Sequence, residues 1–133
     1  MDKVIVDTSA WIESFRPSGE AKLKEILKEL ISDGEIFLPG IIKTELLRGT
    51  KSKKEFQMLN ELLDSLTYLS VEDDFWGRLA KFSFNLLREG ITAPLTDTYI
   101  ALLAIEKNAP LLHRDTHFDL IAQKTGLKIL EVK

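Results

Sequence analysis

Apolar and polar residues follow one another along this chain in an order that predicts strands separated by helices. Short apolar runs occur at Val4–Val6, Glu35–Leu38, Thr67–Val71, Leu111–His113 and Lys128–Val132. Between them lie longer stretches whose apolar residues recur every three or four positions, as on one face of a helix. Strands that alternate with helices form parallel sheets joined by right-handed crossovers. The pattern therefore predicts a three-layer α/β/α fold whose parallel sheet has roughly five strands.

The predicted helices have recognisable start and stop signals. Ser52 and Glu55 have the spacing of a capping box, and Gly90 ends a helix that starts near Ser70. The helix before the second strand carries a broad apolar face from Leu23 to Ile31. We expect this face to exceed what one side of a small sheet can bury.

Composition narrows the class of protein. The chain has 133 residues, of which 44% are hydrophobic and 29% charged, and we expect one globular domain over residues 1–133. It has no cysteine, which excludes disulfides and thiolate metal sites. The longest purely apolar run, Ile100–Ile105, is too short to span a membrane, and no targeting leader is visible. We therefore expect a cytoplasmic protein. Its net charge of −3 does not by itself indicate nucleic-acid binding.

Four acids are placed where a parallel sheet gathers its functional residues. Asp7 and Asp115 each follow a short apolar strand, Asp97 lies at a helix start, and Glu45 lies on the helix after the second strand. Segments that leave the strand ends converge on one edge of the sheet. Four carboxylates there repel one another unless a cation binds them, and an all-oxygen ligand set suits Mg²⁺ or Mn²⁺. Such ions support phosphodiester hydrolysis by activating water and stabilising the leaving oxygen.

Each of these acids also has a purely structural interpretation. Asp7 and Asp97 could be helix N-caps, and Asp115 could be a turn residue. Glu45, in an apolar neighbourhood, could instead be paired with Lys43 or Arg48. The residues alone leave these alternatives open.

Together, four segments resemble one known family, the PIN domain, and within it the VapC-type toxins of prokaryotic toxin–antitoxin pairs. The segments are Val4–Ala10, the helix that carries Glu45, Leu95–Ala104 and Leu112–Phe118. The resemblance covers nearly the whole chain. It implies a parallel five-stranded sheet between helices and a Mg²⁺- or Mn²⁺-dependent endoribonuclease. It also implies a homodimer and a small antitoxin protein that packs over the site.

Carried over position by position, the resemblance places the family's acids on Asp7, Glu45, Asp97 and Asp115, and its supporting hydroxyl on Thr8. One position departs from the family: His113 stands where a threonine or serine is often found, two residues before Asp115. The departure puts hydroxyl support for Asp115 in question. Asp119, one helical turn later, could substitute as a ligand or could simply face solvent.

Basic residues near these acids are candidates for contacts with phosphate, namely Lys43, Arg48 and Arg114. An ordinary solvated surface or structural ion pairs would explain them equally well. Neither His113 nor His117 is assigned as a general base, because metal-bound hydroxide makes one unnecessary. The sequence thus favours an RNA-cleaving toxin. The alternatives are a catalytically silent module that binds RNA or protein, and a nuclease directed at DNA or flap substrates.

Overall fold

A computed structural model of the protein describes residues 3–133, and its strands form a parallel sheet. The strands are β1 (Val4–Val6), β2 (Ile36–Pro39), β3 (Thr67–Leu69) and β4 (Leu111–Leu112). The helices are α1 (Thr8–Phe15), α2 (Ala21–Ser32), α3 (Gly40–Arg48), α4 (Lys53–Asp64), α5 (Phe75–Arg88), α6 (Leu95–Glu106) and α7 (Thr116–Lys124). No helix of the described part of the chain is both long and apolar enough to cross a membrane.

The order of the strands places the acids of β1 and β4 side by side. All neighbouring strands are parallel, in the order β3-β2-β1-β4. The chain moves from β1 to one side for β2 and β3, then returns to the other side of β1 for β4. Open α/β sheets bind their ligands at such a change of direction, beyond the carboxyl ends of the strands. Asp7 and Asp115 follow the two strands that flank this point.

The helices pack in two groups, which gives the predicted three-layer α/β/α arrangement. Helices α1 to α4 contact one another in one group, and α5, α6 and α7 form the other. The largest fully buried side chains include Trp11, Phe75 and Phe118. Two of these aromatic residues, Trp11 and Phe118, lie in helices that begin at the carboxyl edge of the sheet. Burial of their side chains thus fixes the helix ends that carry the acids.

The sheet ends more abruptly than predicted beyond β4. The expected fifth strand at Lys128–Val132 is reduced to one parallel bridge between Leu111 and Ile129. Because β4 has only two residues, it can pair with little more on its outer side. The predicted extension of β4 to His113 is also absent, because the chain turns at His113 toward α7.

The expectation of a surplus apolar face on α2 is wrong. Leu23, Leu27 and Leu30 are at most 5% exposed, and Ile26 and Ile31 are half-buried against the core, so the rest of the protein covers most of this face. The exposed apolar side chains of the described residues lie elsewhere, and those of α5 and α6 are Trp76, Phe84, Leu87 and Leu95. Apolar surface that remains for a partner therefore lies on the second group of helices and around Ile12 and Phe15 of α1, and also at Phe56 and Met58 of α4 and Tyr68 of β3.

Candidate metal centre

Three of the four predicted acids lie at the amino-terminal ends of helices. Asp7 is the N-cap of α1, and Asp115 is the N-cap of α7. Asp97 lies in the first turn of α6, where Pro94 occupies the N-cap position. The partial positive charge of a helix amino terminus stabilises a carboxylate placed there. Asp7 thus caps a helix and Asp97 does not, and Asp115 is a cap rather than only a turn residue; that Asp7 also binds a metal ion stays a prediction.

Asp97, Asp115 and His117 bring their ligand atoms close together. The Nδ1 atom of His117 lies 3.0 Å from Oδ2 of Asp97 and 3.1 Å from Oδ1 of Asp115. The same Asp115 oxygen accepts a hydrogen bond from the backbone N–H of His117, at 2.9 Å. One ligand atom from each of the three residues lies within 4.8 Å of the others. This spacing allows all three side chains to bind a single ion.

The pKa of Asp97 is governed first by burial of its side chain and then by the charged groups around it. Burial of its side chain, which is 13% exposed, raises the pKa of Asp97 from 3.8 to about 6. The hydrogen bond with His117 lowers this pKa, and the charges of Asp115 and Asp7 raise it further. Asp7 thus lies near enough for its charge to act on Asp97, although it is not among the three residues whose ligand atoms lie within 4.8 Å of one another. A cation at this position would relieve the repulsion and favour ionised Asp97.

Asp7 is held in place by Ser9, a residue that our sequence analysis missed. Oδ2 of Asp7 accepts hydrogen bonds from the backbone N–H of Ser9 at 3.0 Å and from its hydroxyl at 2.6 Å. The Ser9 hydroxyl oxygen also accepts a hydrogen bond from the backbone N–H of Arg114, at 2.9 Å. Ser9 therefore connects the end of β1 to the segment that carries Asp115. The signal was available, because serine two residues after a capping aspartate commonly closes such a turn.

Glu45 joins the site through Thr8. The Thr8 hydroxyl donates a hydrogen bond to Oε1 of Glu45, at 2.8 Å. No ion pair of Glu45 with Lys43 or Arg48 occurs within residues 3–133, and Lys43 instead binds Asp64, at 2.7 Å. The structural alternative for Glu45 is therefore not found. Its carboxylate lies outside the tight group of Asp97, Asp115 and His117 but is connected to the residue that follows Asp7.

His113 supports the backbone of Asp115 rather than its carboxylate. Its Nδ1 accepts a hydrogen bond from the backbone N–H of Asp115, at 3.0 Å. Its Nε2 lies 3.2 Å from Oδ1 of Asp119, without the geometry of a hydrogen bond. The side chain of Asp119 is 58% exposed. Asp119 thus lies beside His113, and it is not part of the group formed by Asp97, Asp115 and His117.

Two of the three predicted phosphate contacts are engaged in ion pairs. The Arg114 guanidinium binds Glu20, with Nη2 at 2.7 Å and Nε at 3.1 Å from Oε2. Lys43 binds Asp64 from α4. Arg48 is exposed at the end of α3, and no acid pairs with it among the described residues. Of the three, Arg48 is the cation most available to a ligand.

The donor atoms fit a divalent cation. Carboxylate oxygens from Asp97 and Asp115, with Asp7 close by, are the ligands that Mg²⁺ and Mn²⁺ prefer. No lysine or arginine within residues 3–133 forms an ion pair with any of these acids. The group is partly enclosed, since Asp7 is 7% exposed and the side chains of Asp97 and Asp115 are 13% and 32% exposed. Partly buried carboxylates that no lysine or arginine neutralises are unfavourable, and binding of a metal ion would explain why the protein has them here.

Comparison with known proteins assigns the family. The profile of the PIN domain matches residues 4–124. VapC ribonuclease Mb1587 of Mycobacterium bovis is 32% identical over 128 residues, which cover 94% of this chain and 96% of that protein. Ribonuclease VapC1 of Methanocaldococcus jannaschii is 30% identical over 130 residues, covering 97% of this chain and 88% of that protein. The chain belongs to the PIN domain family.

A solved structure agrees with the PIN domain fold. The structure of VapBC2 from Rickettsia felis, bound to a DNA fragment from its promoter, contains a chain that aligns with a TM-score of 0.77. The alignment covers 96% of each chain at 21% sequence identity. At this identity the likeness concerns the fold alone. It supports the three-layer arrangement and the parallel sheet on which this PIN domain gathers its acids.

Proposed function

We propose that this PIN domain is a metal-dependent endoribonuclease that hydrolyses RNA phosphodiester bonds as the toxin of a toxin–antitoxin pair. The observation that carries the proposal is the group of acids at the change of strand direction, which no lysine or arginine of residues 3–133 neutralises. The similarity to proteins named VapC ribonucleases, at 32% and 30% identity over most of the chain, supports it. Such a toxin would act in the cytoplasm, where its RNA substrate occurs.

In this proposal Asp7, Asp97, Asp115 and Glu45 hold Mg²⁺ or Mn²⁺. The bound ion would supply activation of water and stabilisation of charge on the phosphodiester. The chain's own residues prepare the ligands: Ser9 orients Asp7, and the N-cap geometry of α7 orients Asp115. Because the pKa of Asp97 is about 6, its carboxylate is mostly ionised at pH 7 and able to bind a cation.

Recognition of the RNA backbone would depend first on Arg48. Its exposed guanidinium lies one helical turn after Glu45 on α3 and is not paired with an acid among the described residues. Lys43 and Arg114 could reach phosphate only by leaving Asp64 and Glu20. We therefore propose Arg48 as a direct phosphate contact, and the other two as contacts that form when their ion pairs open.

Cleavage of labelled RNA tests the proposed activity. Single-stranded RNA, hairpin RNA and single-stranded DNA are incubated with the protein in Mn²⁺, in Mg²⁺ and in EDTA. We expect cleavage of RNA that requires the metal and is lost in Asp7→Asn. Asp33→Asn is the matched control, because Asp33 is an exposed acid in the turn before the amino end of β2, at the opposite edge of the sheet from the site.

Three outcomes would contradict the proposal in different ways. Equal RNA cleavage by the protein in EDTA, by Asp7→Asn and by the Mn²⁺-loaded protein would exclude the metal-dependent site. Cleavage of DNA in preference to RNA would support the DNA-directed alternative. Absence of both cleavage and metal-linked stabilisation would support a silent binding module.

An apolar groove beside Glu45 is the surface on which we place the antitoxin. The groove has a volume of about 600 Å³ and is lined by residues of α1, α3 and α4, including Ile12, Phe15, Leu46 and Leu59. Ile12 and Phe15 are 42% and 51% exposed, so their apolar side chains are accessible to a partner. An apolar antitoxin segment in this groove would lie directly against Glu45 and would exclude RNA.

Substitution within the groove tests this placement. Phe15→Glu should abolish co-purification with the protein encoded by the neighbouring reading frame, while RNA cleavage with Mn²⁺ continues. Phe84→Glu is a matched control, since Phe84 is 57% exposed but lies on α5, away from the groove. Retention of the partner by Phe15→Glu, or its equal loss in both variants, would contradict the placement.

A second copy of the chain would pack on α5 and α6. Trp76, Ala80, Ser83 and Leu87 follow one another at helical spacing on α5 and none is charged. Leu95 of α6 lines one cavity together with Trp76 and another together with Leu87, so the apolar surface is continuous. We propose this surface, rather than α2, as the homodimer interface. Light scattering should give a dimer for the protein and a monomer for Leu87→Glu; a monomer for both would contradict it.

A further inference from the structure

His117 occupies the position between the two most closely spaced carboxylates of the site. It lies in the first turn of α7, directly after the capping residue Asp115 and Thr116. Its Nδ1 atom is within 3.1 Å of oxygens of both Asp97 and Asp115. The backbone N–H of His117 is bound to the Asp115 carboxylate as well. The imidazole is therefore fixed at both its ring and its backbone relative to the proposed metal ligands.

The spacing of these atoms matches the edge of a metal coordination polyhedron. Neighbouring ligands of an octahedral ion with bonds of about 2.1 Å lie about 3 Å apart. The separations of 3.0 and 3.1 Å between Nδ1 and the two carboxylate oxygens have this length. A hydrogen bond has the same length, so one arrangement can serve both the metal-free and the metal-bound protein. The His117 side chain is 39% exposed, which allows Nε2–H to donate to water while Nδ1 binds the ion.

A nitrogen donor changes which ion the site prefers. Mg²⁺ takes oxygen ligands almost exclusively, whereas imidazole is a common ligand of first-row transition ions. With aspartates as its other ligands, a site that includes imidazole keeps its affinity for Mn²⁺ and gains selectivity against Mg²⁺. None of the four predicted acids supplies this discrimination, because all offer oxygen alone.

We propose that His117 is a metal ligand of the site, through Nδ1, and that it makes the site select Mn²⁺ over Mg²⁺. The inference rests on the proposed metal-dependent function. It adds a residue of the same site and the identity of the preferred ion.

Nitrogen coupling to bound Mn²⁺ tests the proposal directly. Pulsed electron paramagnetic resonance of the Mn²⁺-loaded full chain should show ¹⁴N modulation from a directly bound histidine. The signal can be assigned, because the chain has only two histidines, His113 and His117. His117→Asn should abolish the nitrogen signal. His113→Asn is the matched control and should retain it, since an asparagine oxygen can still accept the backbone N–H of Asp115.

Calorimetry of the same variants measures the selectivity. We expect His117→Asn to lower the ratio of Mn²⁺ affinity to Mg²⁺ affinity by at least about tenfold, the scale on which lost metal-site contacts act. An unchanged ratio, or absence of nitrogen modulation in the unsubstituted protein, would overturn the proposal. If RNA cleavage still required metal in that case, the nuclease function would stand without His117 as a ligand. If Mn²⁺ did not bind at all, both would be overturned.

Discussion

The acidic group and the basic side chains near it differ in how their charges are balanced. Asp97 and Asp115 are crowded together beside His117, with Asp7 nearby, and the three acids form no ion pair with lysine or arginine in the described part of the chain. Lys43 and Arg114, in contrast, each have an acid within 2.7 Å. The two kinds of charged residue were equally plausible as site residues from the sequence. The presence or absence of an ion-pair partner in the structure distinguishes the acids from the basic residues.

The difference shows which charged residues lower the stability of the folded protein. Exposed ion pairs such as Lys43–Asp64 form readily, contribute about 1 kcal/mol or less, and need no functional explanation. Buried carboxylates that repel one another lower the stability of the folded protein unless something binds them. The raised pKa of Asp97 is the direct expression of that cost. Unbalanced charge, rather than charge as such, therefore marks the site.

Substitution of Asp97 should have the largest effect. Asp97→Asn removes a proposed ligand and should reduce RNA cleavage at least about 100-fold, since metal stabilisation of the transition state is worth several kcal/mol. The same change should stabilise the metal-free protein, because it removes the most strained charge of the group. Cleavage assays and urea unfolding in EDTA measure the two effects. Loss of stability together with retained cleavage would remove the distinction between the acidic group and ordinary surface acids.

Acidification should stabilise the metal-free protein. The pKa of Asp97 is about 6 in the folded state against 3.8 ordinarily, so the folded protein binds the extra proton between these values. The contribution of Asp97 to the free energy of unfolding should thus increase by about 1 kcal/mol as the pH falls from 7 to 5. Urea unfolding in EDTA, compared with Asp97→Asn, isolates this contribution, and saturating Mn²⁺ should abolish it. The same pH slope in Asp97→Asn would contradict the assignment.

The basic residues should show smaller effects, and these should differ between free and paired side chains. Arg48→Gln should raise the KM for RNA about threefold and reduce the salt dependence of binding by about 0.7, the value for one phosphate contact with a single strand. Lys43→Gln should have a smaller effect on both, because in the unsubstituted protein Lys43 is paired with Asp64 and contacts phosphate only when that ion pair opens. Filter binding across a range of salt concentrations measures both. A larger effect for Lys43→Gln than for Arg48→Gln would reverse the comparison.

The order of elements could be predicted from the sequence because its hydrophobic pattern changes period cleanly. Three consecutive buried residues, Val4 to Val6, indicate a central strand, and the capping-box spacing of Ser52 and Glu55 marks the start of α4 correctly. The reduction of the fifth strand to one bridge and the burial of the apolar face of α2 could not be predicted. They depend on the length of β4 and on how much the neighbouring helices cover, which local patterns do not encode.

Only part of the candidate site could be predicted from the sequence, for a related reason. Positions at strand ends and helix starts pointed to Asp7, Asp97 and Asp115 without knowledge of their distances. His117 became apparent only when helix ends distant in sequence were seen together, since it contacts Asp97, whereas the local turn formed by Asp7 and Ser9 could have been predicted. The roles of all these residues in catalysis remain predictions that the experiments above address.

The central claim is that Asp7, Asp97 and Asp115 together bind one or two divalent cations. Anomalous diffraction from crystals soaked in Mn²⁺ tests this claim most directly, because it locates the ion without reference to activity. We predict an anomalous peak between the carboxylates of Asp97 and Asp115, and its loss in Asp97→Asn crystals. Saturating Mn²⁺ with no peak among these carboxylates, or a peak that persists unchanged in Asp97→Asn, would contradict the account.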